Sequence, residues 1–423
     1  MEYDYVIVGG GIAGIYSALK ITQAFPKAKV ALTEMYENLG GRIETYRNST
    51  VQFEGGAGRI HSSHILVNSL VKRYNLTKIK IPSESSANWI GIEAEAELPS
   101  QPTINSWSSI ATFLTLFLSK LDPLLLQTKT VEELLTETME GFMVNSILRR
   151  FAYTSEMSSL RADLALESFK KEFSGNVGYF YTLKEGIHSI IENMLKEIHG
   201  KIDIYTGHRL VSLENKTTST RLHFSLGKTK SKKSLLTKKT ILAIPSESLK
   251  GISIFKNLPI LKRITMRPLL RVYGVFPTPP WFENIPRTIT DSPIRNVIPI
   301  STNTGTIMTS YTDSKDTEIW MTIYEKYGEK GLSKRIIEES EKLFNIKIPE
   351  PHLFKIYYWK DGCSYWLPGL YDVEEASRRI MYPLPSSHPN IYVCGESYCI
   401  KQAWIESALE HTETMLRSYI FTK

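Results

Sequence analysis

Four glycines within six residues, close to the start of the chain, constrain the fold more than any other feature of the sequence. The run Gly9–Gly14 follows an apolar segment, Tyr5–Val8, that is typical of a buried strand, and it opens a predicted helix, Ile15–Ala24. Glu34 lies twenty residues after the last of these glycines, at the end of a second predicted strand, Lys29–Thr33. This arrangement is typical of a Rossmann-type unit that binds a dinucleotide. We therefore predict an α/β fold that begins with such a unit.

Each part of this unit has a physical task in holding a diphosphate. Gly9 permits the tight turn, Gly11 lets the backbone approach the diphosphate, and Gly14 allows the helix to pack closely on the strand. The helix N-terminus offers free N–H groups and a positive dipole, and Glu34 can accept hydrogen bonds from ribose hydroxyls. A glycine turn without a ligand is the alternative, but the strand, helix and acidic residue all stand where cofactor binding requires them. The predicted contacts are Gly9, Gly11, Ile12, Ala13, Gly14 and Glu34.

The segment after the acidic strand favours FAD over NAD. Asn38–Ile43 contains Gly40, Gly41 and Arg42, which would bring two glycines and a cation beside the diphosphate. A simple NAD-dependent dehydrogenase has no need of such a segment there. A common turn with a surface arginine is the alternative, and the short distance from the first glycine run favours the phosphate role. We predict that Gly41 and Arg42 contact FAD.

Size and composition are those of a globular protein with two or three domains and a substantial core. The chain has 423 residues, of which 42% are hydrophobic, and its formal net charge is +7. Much of this charge is local, and a solvated hairpin or loop explains the basic run better than nucleic acid does. The run consists of Lys228, Lys230, Lys232, Lys233, Lys238 and Lys239. No nucleic-acid partner is expected.

Cysteine content and the N-terminal residues indicate a reducing compartment. None of the three cysteines, Cys363, Cys394 and Cys399, belongs to a CxxC pair, so neither a disulfide framework nor a zinc site is expected. The chain passes from Met1 directly into the first strand, without the features of a secretory signal. The most apolar later stretch, Ile110–Leu118, has nine residues, which are too few to cross a bilayer. We predict a cytoplasmic protein without a metal site or a transmembrane segment.

The rest of the chain alternates between helical and β-rich segments. Residues 104–175 show helical spacing and predict a helical insertion, whereas residues 181–244 predict one helix followed by a small antiparallel meander. Farther along, Glu318–Tyr324 predicts a strand. The last predicted elements are a buried strand at Asn390–Gly395 and a closing helix at Trp404–Tyr419. Two structural modules are therefore predicted to be interleaved along the chain.

Several segments together resemble the flavin-containing amine oxidases. They are the first glycine run, Glu34, Gly40–Arg42, Phe53–His61 (FEGGAGRIH), Ile241–Pro245 and above all Ile391–Ala408 (IYVCGESYCIKQAWIESA). The resemblance runs nearly end to end, but it is specific only over about the first 76 and the last 35 residues. The group includes monoamine and polyamine oxidases, histone-demethylase-like oxidases and, more distantly, protoporphyrinogen oxidase and carotenoid desaturases.

The resemblance implies further contacts with FAD. Gly395–Glu396 is similar to the strand-end pair whose carboxylate holds the ribityl chain. Trp404–Glu406 resembles the segment beside the flavin pyrimidine, where Trp404 and Ile405 open the last helix and its N–H groups would stabilise negative charge. Gly56–Arg59 resembles the stretch along the isoalloxazine, where small residues let the backbone come close. Leu210 and Val211 stand where the family has its adenine-contacting apolar residue.

In this family the substrate carbon next to an amine nitrogen gives a hydride equivalent to flavin N5, and oxygen reoxidises the cofactor with release of hydrogen peroxide. Two aromatic rings form a cage for the nitrogen. By resemblance Trp404 would be one of them, although it could equally be a buried core aromatic, and Tyr365 would be the other. The aromatic runs Tyr179–Tyr181 and Tyr357–Trp359 could line a cavity between domains or simply pack.

Two positions depart from the family pattern. The family's lysine near flavin N5 lies ten residues before a tryptophan, and counting back from Trp281 gives Arg271. The guanidinium keeps the charge but is not equivalent to an ammonium, which puts oxygen reactivity in doubt. Cys363 lies near the position where monoamine oxidases attach their flavin covalently, but the spacing that follows, to Pro368, is shorter here. Noncovalent FAD is the prediction.

These inferences combine into one prediction of organisation and function. An FAD-binding domain is expected from residues 1–80, 181–250 and 359–423, and a mixed α+β substrate domain from residues 81–180 and 251–358. The predicted activity is oxidation of a primary, secondary or polyamine C–N bond, with dioxygen as the second substrate. The alternatives are a desaturase or porphyrinogen-oxidase-like dehydrogenase and a flavin-binding protein that has lost oxidase activity.

Overall fold

The computed structural model describes residues 2–81, 88–90, 107–151, 153–170, 178–216, 218–227 and 231–422. The strands are β1 Glu2–Val8, β2 Val30–Thr33, β3 Thr45–Arg47, β4 Gln52–Glu54, β5 Ile60–His61, β6 Lys78–Lys80, β7 Asn88–Ile90, β8 Phe180–Leu183, β9 Asp203–Tyr205, β10 His208–Asn215, β11 Thr220–Leu226, β12 Ser231–Leu242, β13 Ile264–Val275, β14 Thr288–Thr290, β15 Asn296–Ser301, β16 Thr306–Asp313, β17 Leu353–Trp366 and β18 Ile391–Val393. The helices are α1 Ile12–Ala24, α2 Ile65–Arg73, α3 Trp107–Leu118, α4 Pro123–Thr128, α5 Val131–Thr138, α6 Gly141–Phe151, α7 Thr154–Ser159, α8 Ala162–Ser168, α9 Ser189–Ile198, α10 Ser246–Lys250, α11 Ser314–Phe344, α12 Val373–Ile380 and α13 Ile405–Met415.

The larger sheet carries the N-terminal glycine unit at its centre. Strands β9, β2, β1, β12 and β18 run parallel, with β1 between β2 and β12. Tyr5 and Ile7 of β1 face a core shared with α1, α9 and α13, whereas Val6 and Val8 belong to a second core. Burial on both faces explains why β1 is apolar without alternation. The first half of β12 pairs antiparallel with β11, which pairs with β10, so the predicted meander is confirmed.

A second sheet of six strands has the order β17-β13-β16-β15-β14-β7. Strand β13 lies between β17 and β16, antiparallel to both. The helical insertion, α3–α8, precedes most of this sheet in the chain, as predicted. The predicted α/β class is confirmed. The domain boundaries stay a prediction, and β17 pairs wholly within this second sheet although residues from 359 onward were assigned to the other domain.

The strand predicted at Glu318–Tyr324 is wrong, because this segment lies within helix α11. Thr317 and Trp320 are buried three positions apart, and beyond a kink at Gly328, whose backbone is not helical, Leu332, Ile336 and Ser340 are buried with a four-residue spacing. Burial of one helical face against β13 and β16 therefore overrides the β propensity of the segment.

The basic run lies mostly on the hairpin formed by β11 and β12. Lys232, Lys233, Lys238 and Lys239 are residues of β12, and the Nζ of Lys238 lies 2.8 Å from a carboxylate oxygen of Asp4. This agrees with the predicted solvated hairpin, while Lys228 and Lys230 lie outside the described residues.

None of the helices in the described part of the chain has both the length and the apolar character needed to cross a membrane.

Candidate active site

A cavity of about 2970 Å³ joins the glycine turn, the last segment of the chain and the inner face of the second sheet. It exceeds the roughly 300 to 1,000 Å³ of a usual small-ligand pocket, so it has room for a dinucleotide and a second molecule. All predicted site residues except Gly14 line it, although their roles toward FAD or substrate stay predictions. They are Gly9, Gly11, Ile12, Ala13, Glu34, Gly41, Arg42, Gly56, Ala57, Gly58, Arg59, Leu210, Val211, Arg271, Tyr365, Gly395, Glu396, Trp404 and Ile405.

Gly14 lies beneath the glycine turn instead of on the cavity wall. A Cβ at Gly14 would stand 1.9 Å from the carbonyl oxygen of Gly9. The first turn of α1 therefore packs on the turn at a distance that only glycine permits. Gly9 itself has a φ of 109°, which side-chain-bearing residues rarely adopt. This geometry agrees with the packing role predicted for Gly14.

The cavity wall at the start of α1 is made of backbone. Gly11 is the N-cap of α1, and no side chain caps this helix. Gly41 faces it closely, because a Cβ on Gly41 would lie 3.1 Å from the Cα of Gly11. Two facing glycines and the free N–H groups of a helix start form a narrow, positive cradle, which fits a diphosphate.

Glu34 closes one side of this cradle with a buried carboxylate. Its Oε2 accepts a hydrogen bond of 2.7 Å from the N–H of Gly10, and its Oε1 accepts one of 2.9 Å from the N–H of Tyr36. The N–H of His208, at the start of β10, donates to the carbonyl of Glu34. This bond places β10, with its predicted adenine-contacting residues, on the same wall. A carboxylate oxygen can accept a second donor, so the ribose role of Glu34 fits this geometry.

Arg42 and Glu396, predicted to hold different parts of FAD, contact each other. Arg42 Nη2 lies 2.7 Å from Glu396 Oε2, and Arg42 Nη1 donates to the carbonyl of Gly362 at 2.9 Å. Glu396 also accepts from Ser364 Oγ at 3.1 Å and from the N–H of Ala403 at 2.6 Å. This network could not be predicted from the sequence, because the spacing between its members follows no local pattern.

The segment predicted to run along the isoalloxazine packs tightly on its neighbours. A Cβ at Gly56 would lie 2.1 Å from the carbonyl oxygen of Arg42, and one at Gly58 would lie 2.8 Å from Arg271 Nη1. The absence of side chains at both glycines therefore lets this segment pass between the two arginines. It also brings Arg271 to the segment beside which the flavin ring is predicted.

Arg271 is held by one carbonyl and one ring. Its Nη1 donates to the carbonyl of Glu54 at 3.1 Å, and its guanidinium carbon lies 5.0 Å from the centre of the Tyr311 ring. The hydroxyl of Tyr273 donates to the same carbonyl of Glu54 at 2.7 Å. Cation–π attraction and the hydrogen bond keep the charge on the cavity wall.

The carboxyl group of Glu54, near Arg271, has a strongly raised pKa. Burial raises the pKa of Glu54 to about 7, although hydrogen bonds from Thr45 Oγ1 at 2.6 Å and the N–H of Ile187 at 3.0 Å act in the opposite direction. The charge of Arg271 also lowers the pKa of this carboxyl. Desolvation therefore dominates at this position.

Trp404 lies at the N-cap of α13 and stacks on Phe180. The two ring centres are 5.7 Å apart with planes 14° from parallel, and the ring of His64 meets Trp404 edge-on at 5.2 Å. The Arg59 guanidinium lies 4.3 Å from the Phe180 ring centre and 5.8 Å from that of Trp404. The wall predicted for the substrate amine therefore includes a cation, which the sequence did not indicate.

Tyr365 and Cys363 lie on β17, on the same cavity wall. Burial, followed by the charges of Cys363, Asp313 and Glu156, raises the pKa of the Tyr365 hydroxyl well above its usual value. Burial and the charge of Glu396 raise the pKa of the Cys363 thiol to about 12, despite the opposing charge of Arg42. The thiol is therefore protonated near neutral pH and a poor nucleophile.

One further part of the cavity wall was not predicted from the sequence. Tyr153, Tyr311 and Asp313 all line the cavity, and the rings of Tyr153 and Tyr311 meet edge-on at 5.8 Å. Asp313 is 9% exposed. Tyr153 belongs to the helical insertion and the other two residues to β16, so no spacing within one segment could have identified the group.

A family model described as flavin-containing amine oxidoreductase matches residues 12–413. Among curated proteins, an uncharacterised protein of Acanthamoeba polyphaga mimivirus is 38% identical over 85 residues, which cover 19% of this chain and 17% of that protein. An L-amino-acid oxidase of Crotalus adamanteus is 31% identical over 88 residues, which cover 21% of this chain and 17% of the oxidase. These matches span about a sixth of the length of each relative.

Solved structures resemble the fold over almost its whole length. A wild-type putrescine oxidase bound to putrescine has a TM-score of 0.74 and 14% identity, with 99% of both chains covered. An Exiguobacterium protein assigned as a protoporphyrinogen oxidase has a TM-score of 0.73 and 18% identity, with 98% of both chains covered. At these identities the similarity establishes the fold alone.

Proposed function

This chain belongs to the flavin-containing amine oxidoreductase family, and from that premise we propose that it oxidises a C–N bond of an amine and releases hydrogen peroxide. One observation carries the proposal. The glycine cradle, the Gly56–Arg59 segment, Trp404 and Tyr365 line one continuous cavity. The wall that fits a dinucleotide is thus continuous with the part of the cavity lined by Trp404 and Tyr365, here called the aromatic chamber. Amine oxidation by a bound flavin requires such a connection.

FAD fits the cavity through the backbone cradle. Gly11 and Gly41 would hold the diphosphate, Glu34 the adenosine ribose, and Leu210 and Val211 the adenine. Bound FAD supplies the acceptor for the hydride equivalent that leaves the substrate carbon. We propose that it is held without a covalent bond, since the protonated thiol of Cys363 is a poor nucleophile.

The residues around the chamber would orient the amine and exclude water. Trp404 and Tyr365 offer aromatic surface to the nitrogen. Arg271 keeps a fixed positive charge against the Gly58 backbone. The amine would lose a hydride from the carbon next to its nitrogen and a proton from the nitrogen, giving an imine, and dioxygen would accept two electrons and two protons.

We also propose the predicted division into two domains. The parallel sheet, built from the N-terminal, middle and C-terminal parts of the chain, would form the FAD-binding domain. The second sheet and the helical insertion would form the substrate domain. We propose dioxygen and a small amine as the molecules that this protein binds. We also propose that the protein is located in the cytoplasm.

An amino acid is a second candidate substrate, favoured by the position of Arg59. Its guanidinium lies 5.8 Å from the Trp404 ring centre on the cavity wall, where it would attract the carboxylate of a zwitterionic amine. The relatives named L-amino-acid oxidase support the same candidate. Oxidation of a carbon–carbon bond, as in porphyrinogen-oxidase relatives, is the alternative if no amine is oxidised.

The test is anaerobic mixing of the purified flavoprotein with monoamines, polyamines and amino acids while the oxidised flavin band is recorded. Bleaching by one of these compounds supports amine oxidation and identifies the class. A subsequent air pulse that restores the band with stoichiometric peroxide supports an oxidase, whereas bleaching without reoxidation indicates a dehydrogenase. A flavin band unchanged by the whole panel would refute amine oxidation, and a protein unable to take up FAD would refute the site itself.

A further inference from the structure

We infer that Asp313 is a specificity-determining residue whose carboxylate binds a second cationic group of the substrate, away from the nitrogen that is oxidised. The preferred substrates are then diamines, polyamines or basic amino acids. This inference rests on the proposed amine oxidation. It adds which group of the substrate, other than the oxidised amine, the protein recognises.

The direction of the Asp313 side chain is the first observation. Asp313 is the N-cap residue of α11, yet its side chain makes no hydrogen bond to that helix, although aspartate is a favoured N-cap. Its oxygens instead accept from the N–H of Thr154 at 3.2 Å and of Ser155 at 3.0 Å. A carboxylate offers about four acceptor positions. Each oxygen therefore retains capacity for a ligand.

The first two N–H groups of α7 bind the Asp313 carboxylate, but no cationic side chain of the described residues forms an ion pair with it. The carboxylate is 9% exposed and lines the cavity. Within the described residues, no Lys, Arg or His nitrogen lies within 4.0 Å of its oxygens. Arg295, whose charge lowers the pKa of Asp313, lies 3.4 Å from Asp316 instead. Burial raises the pKa of Asp313 to about 6, although the N–H of Ser155, the charge of Arg295 and the Ser155 hydroxyl lower it. A buried carboxylate without an ion pair gains most from a cationic ligand.

The surroundings of Asp313 also favour a cation. Tyr153, Tyr311 and Tyr365 line the same cavity, and so does the carboxylate of Glu156. Asp313 is close enough to Tyr365 to raise the pKa of its hydroxyl. Aromatic faces and carboxylates together attract ammonium and guanidinium groups. Asp313 and Glu156 therefore line the same cavity as Tyr365, which is predicted to contact the oxidised nitrogen.

Arg271 and Arg287, which contact Tyr311 and Tyr153, form no ion pair with Asp313 in the described part of the chain. Arg271 Nη1 donates to the carbonyl of Glu54, and its guanidinium lies over the ring of Tyr311. Arg271 therefore has partners of its own, and the carboxylate of Asp313 is left for a mobile cation.

The experiment compares amines that differ only in the second charge: hexylamine with 1,6-diaminohexane, and norleucine with lysine. Steady-state parameters are measured for the FAD-loaded wild type, Asp313→Asn and the matched control Asp122→Asn, an N-cap aspartate of α4 that is not part of the cavity lining. We expect the wild type to prefer the dication at least tenfold in kcat/KM. Asp313→Asn should lose that preference through a higher KM for the dication, with the monoamine parameters within about twofold, and Asp122→Asn should keep it.

Equal kcat/KM for both members of each pair in the wild type overturns the inference while amine oxidation stands, and this result does not depend on the variant being folded. An equal loss for both members in Asp313→Asn also overturns it. If none of the amines reduces the flavin, the proposed function fails, and anaerobic calorimetry then decides the inference. Tighter binding of 1,6-diaminohexane than of hexylamine, lost in Asp313→Asn, supports the anionic subsite, whereas equal binding refutes it.

Discussion

Arg42 and Glu396 form a salt bridge of 2.7 Å that ties the segment after the first glycine run to the C-terminal part of the chain. The carboxylate side chain is 6% exposed and the guanidinium side chain 31%. Ser364 and the N–H of Ala403 complete the bonds to the carboxylate. The pair lies on the wall of the proposed cofactor cavity, so it can stabilise both the fold and FAD binding.

Replacement of Glu396 by glutamine should destabilise the protein strongly. Glutamine can still accept hydrogen bonds, but it leaves the Arg42 charge without a counterion, which costs about 3 kcal/mol for a buried pair. Urea unfolding measures this loss. Glu197→Gln is the control, because Glu197 forms a salt bridge with Arg73 at the surface, where the two side chains are 28% and 48% exposed, respectively. This exposed pair should contribute less than about 1 kcal/mol to stability. Similar losses in both variants would contradict the structural role of the inner pair.

The glycines of the cradle should separate folding from cofactor binding. A Cβ at Gly11 would meet only the Cα of Gly41 at 3.9 Å, whereas one at Gly14 would lie 1.9 Å from the Gly9 oxygen. Gly11→Ala should therefore fold with a melting temperature near that of the wild type but bind FAD at least about tenfold more weakly, since its methyl group would occupy the proposed diphosphate site. Gly14→Ala should unfold at a markedly lower temperature. Unchanged FAD affinity in Gly11→Ala, measured by fluorescence titration, would contradict the cradle.

Replacement of Arg271 by lysine should speed the reaction of the reduced cofactor with dioxygen. Lysine restores the compact, hydrated ammonium of the family pattern in place of a planar guanidinium. We expect the second-order rate constant for reoxidation to rise about tenfold, equivalent to about 1.4 kcal/mol in the barrier. Stopped-flow mixing with oxygenated buffer measures it. Arg267→Lys, on the same strand but bonded to Ser159, is the control, and an equal change in both variants would argue against a specific role.

The buried carboxyl of Glu54 should make stability fall as pH rises. Its folded pKa of about 7 lies above the ordinary value of 4.5, so between these values the unfolded chain releases a proton that the folded protein keeps. Unfolding is then increasingly favoured through this window, by about 3 kcal/mol in full. Glu54→Gln should match the wild type near pH 4 and be more stable at pH 8. Urea unfolding across this range measures the difference, and curves that stay parallel would contradict the raised pKa.

Local patterns sufficed for the parts of the fold that depend on nearby residues. The strand, glycine turn and helix of the first forty residues follow from apolar runs, from the conformational freedom of Gly9 and from the distance to Glu34. The β11–β12 hairpin and the closing helix α13 were predictable for the same reason. Their hydrogen bonds and buried faces are set by residues two to four positions apart, which a sequence displays directly.

Contacts between distant segments were decided by the tertiary structure. The pairing of Arg42 with Glu396, the stacking of Trp404 on Phe180 and the turn of Asp313 away from its own helix depend on how sheets and helices pack, which no spacing encodes. Packing also made a helix of the segment around Trp320, since burial against β13 and β16 outweighs intrinsic β propensity. The sequence by itself thus determined a dinucleotide-binding α/β protein with an amine-oxidase-like C-terminal segment. Only the folded chain decided which charges face the cavity, because side chains acquire neighbours from other segments only when the sheets assemble.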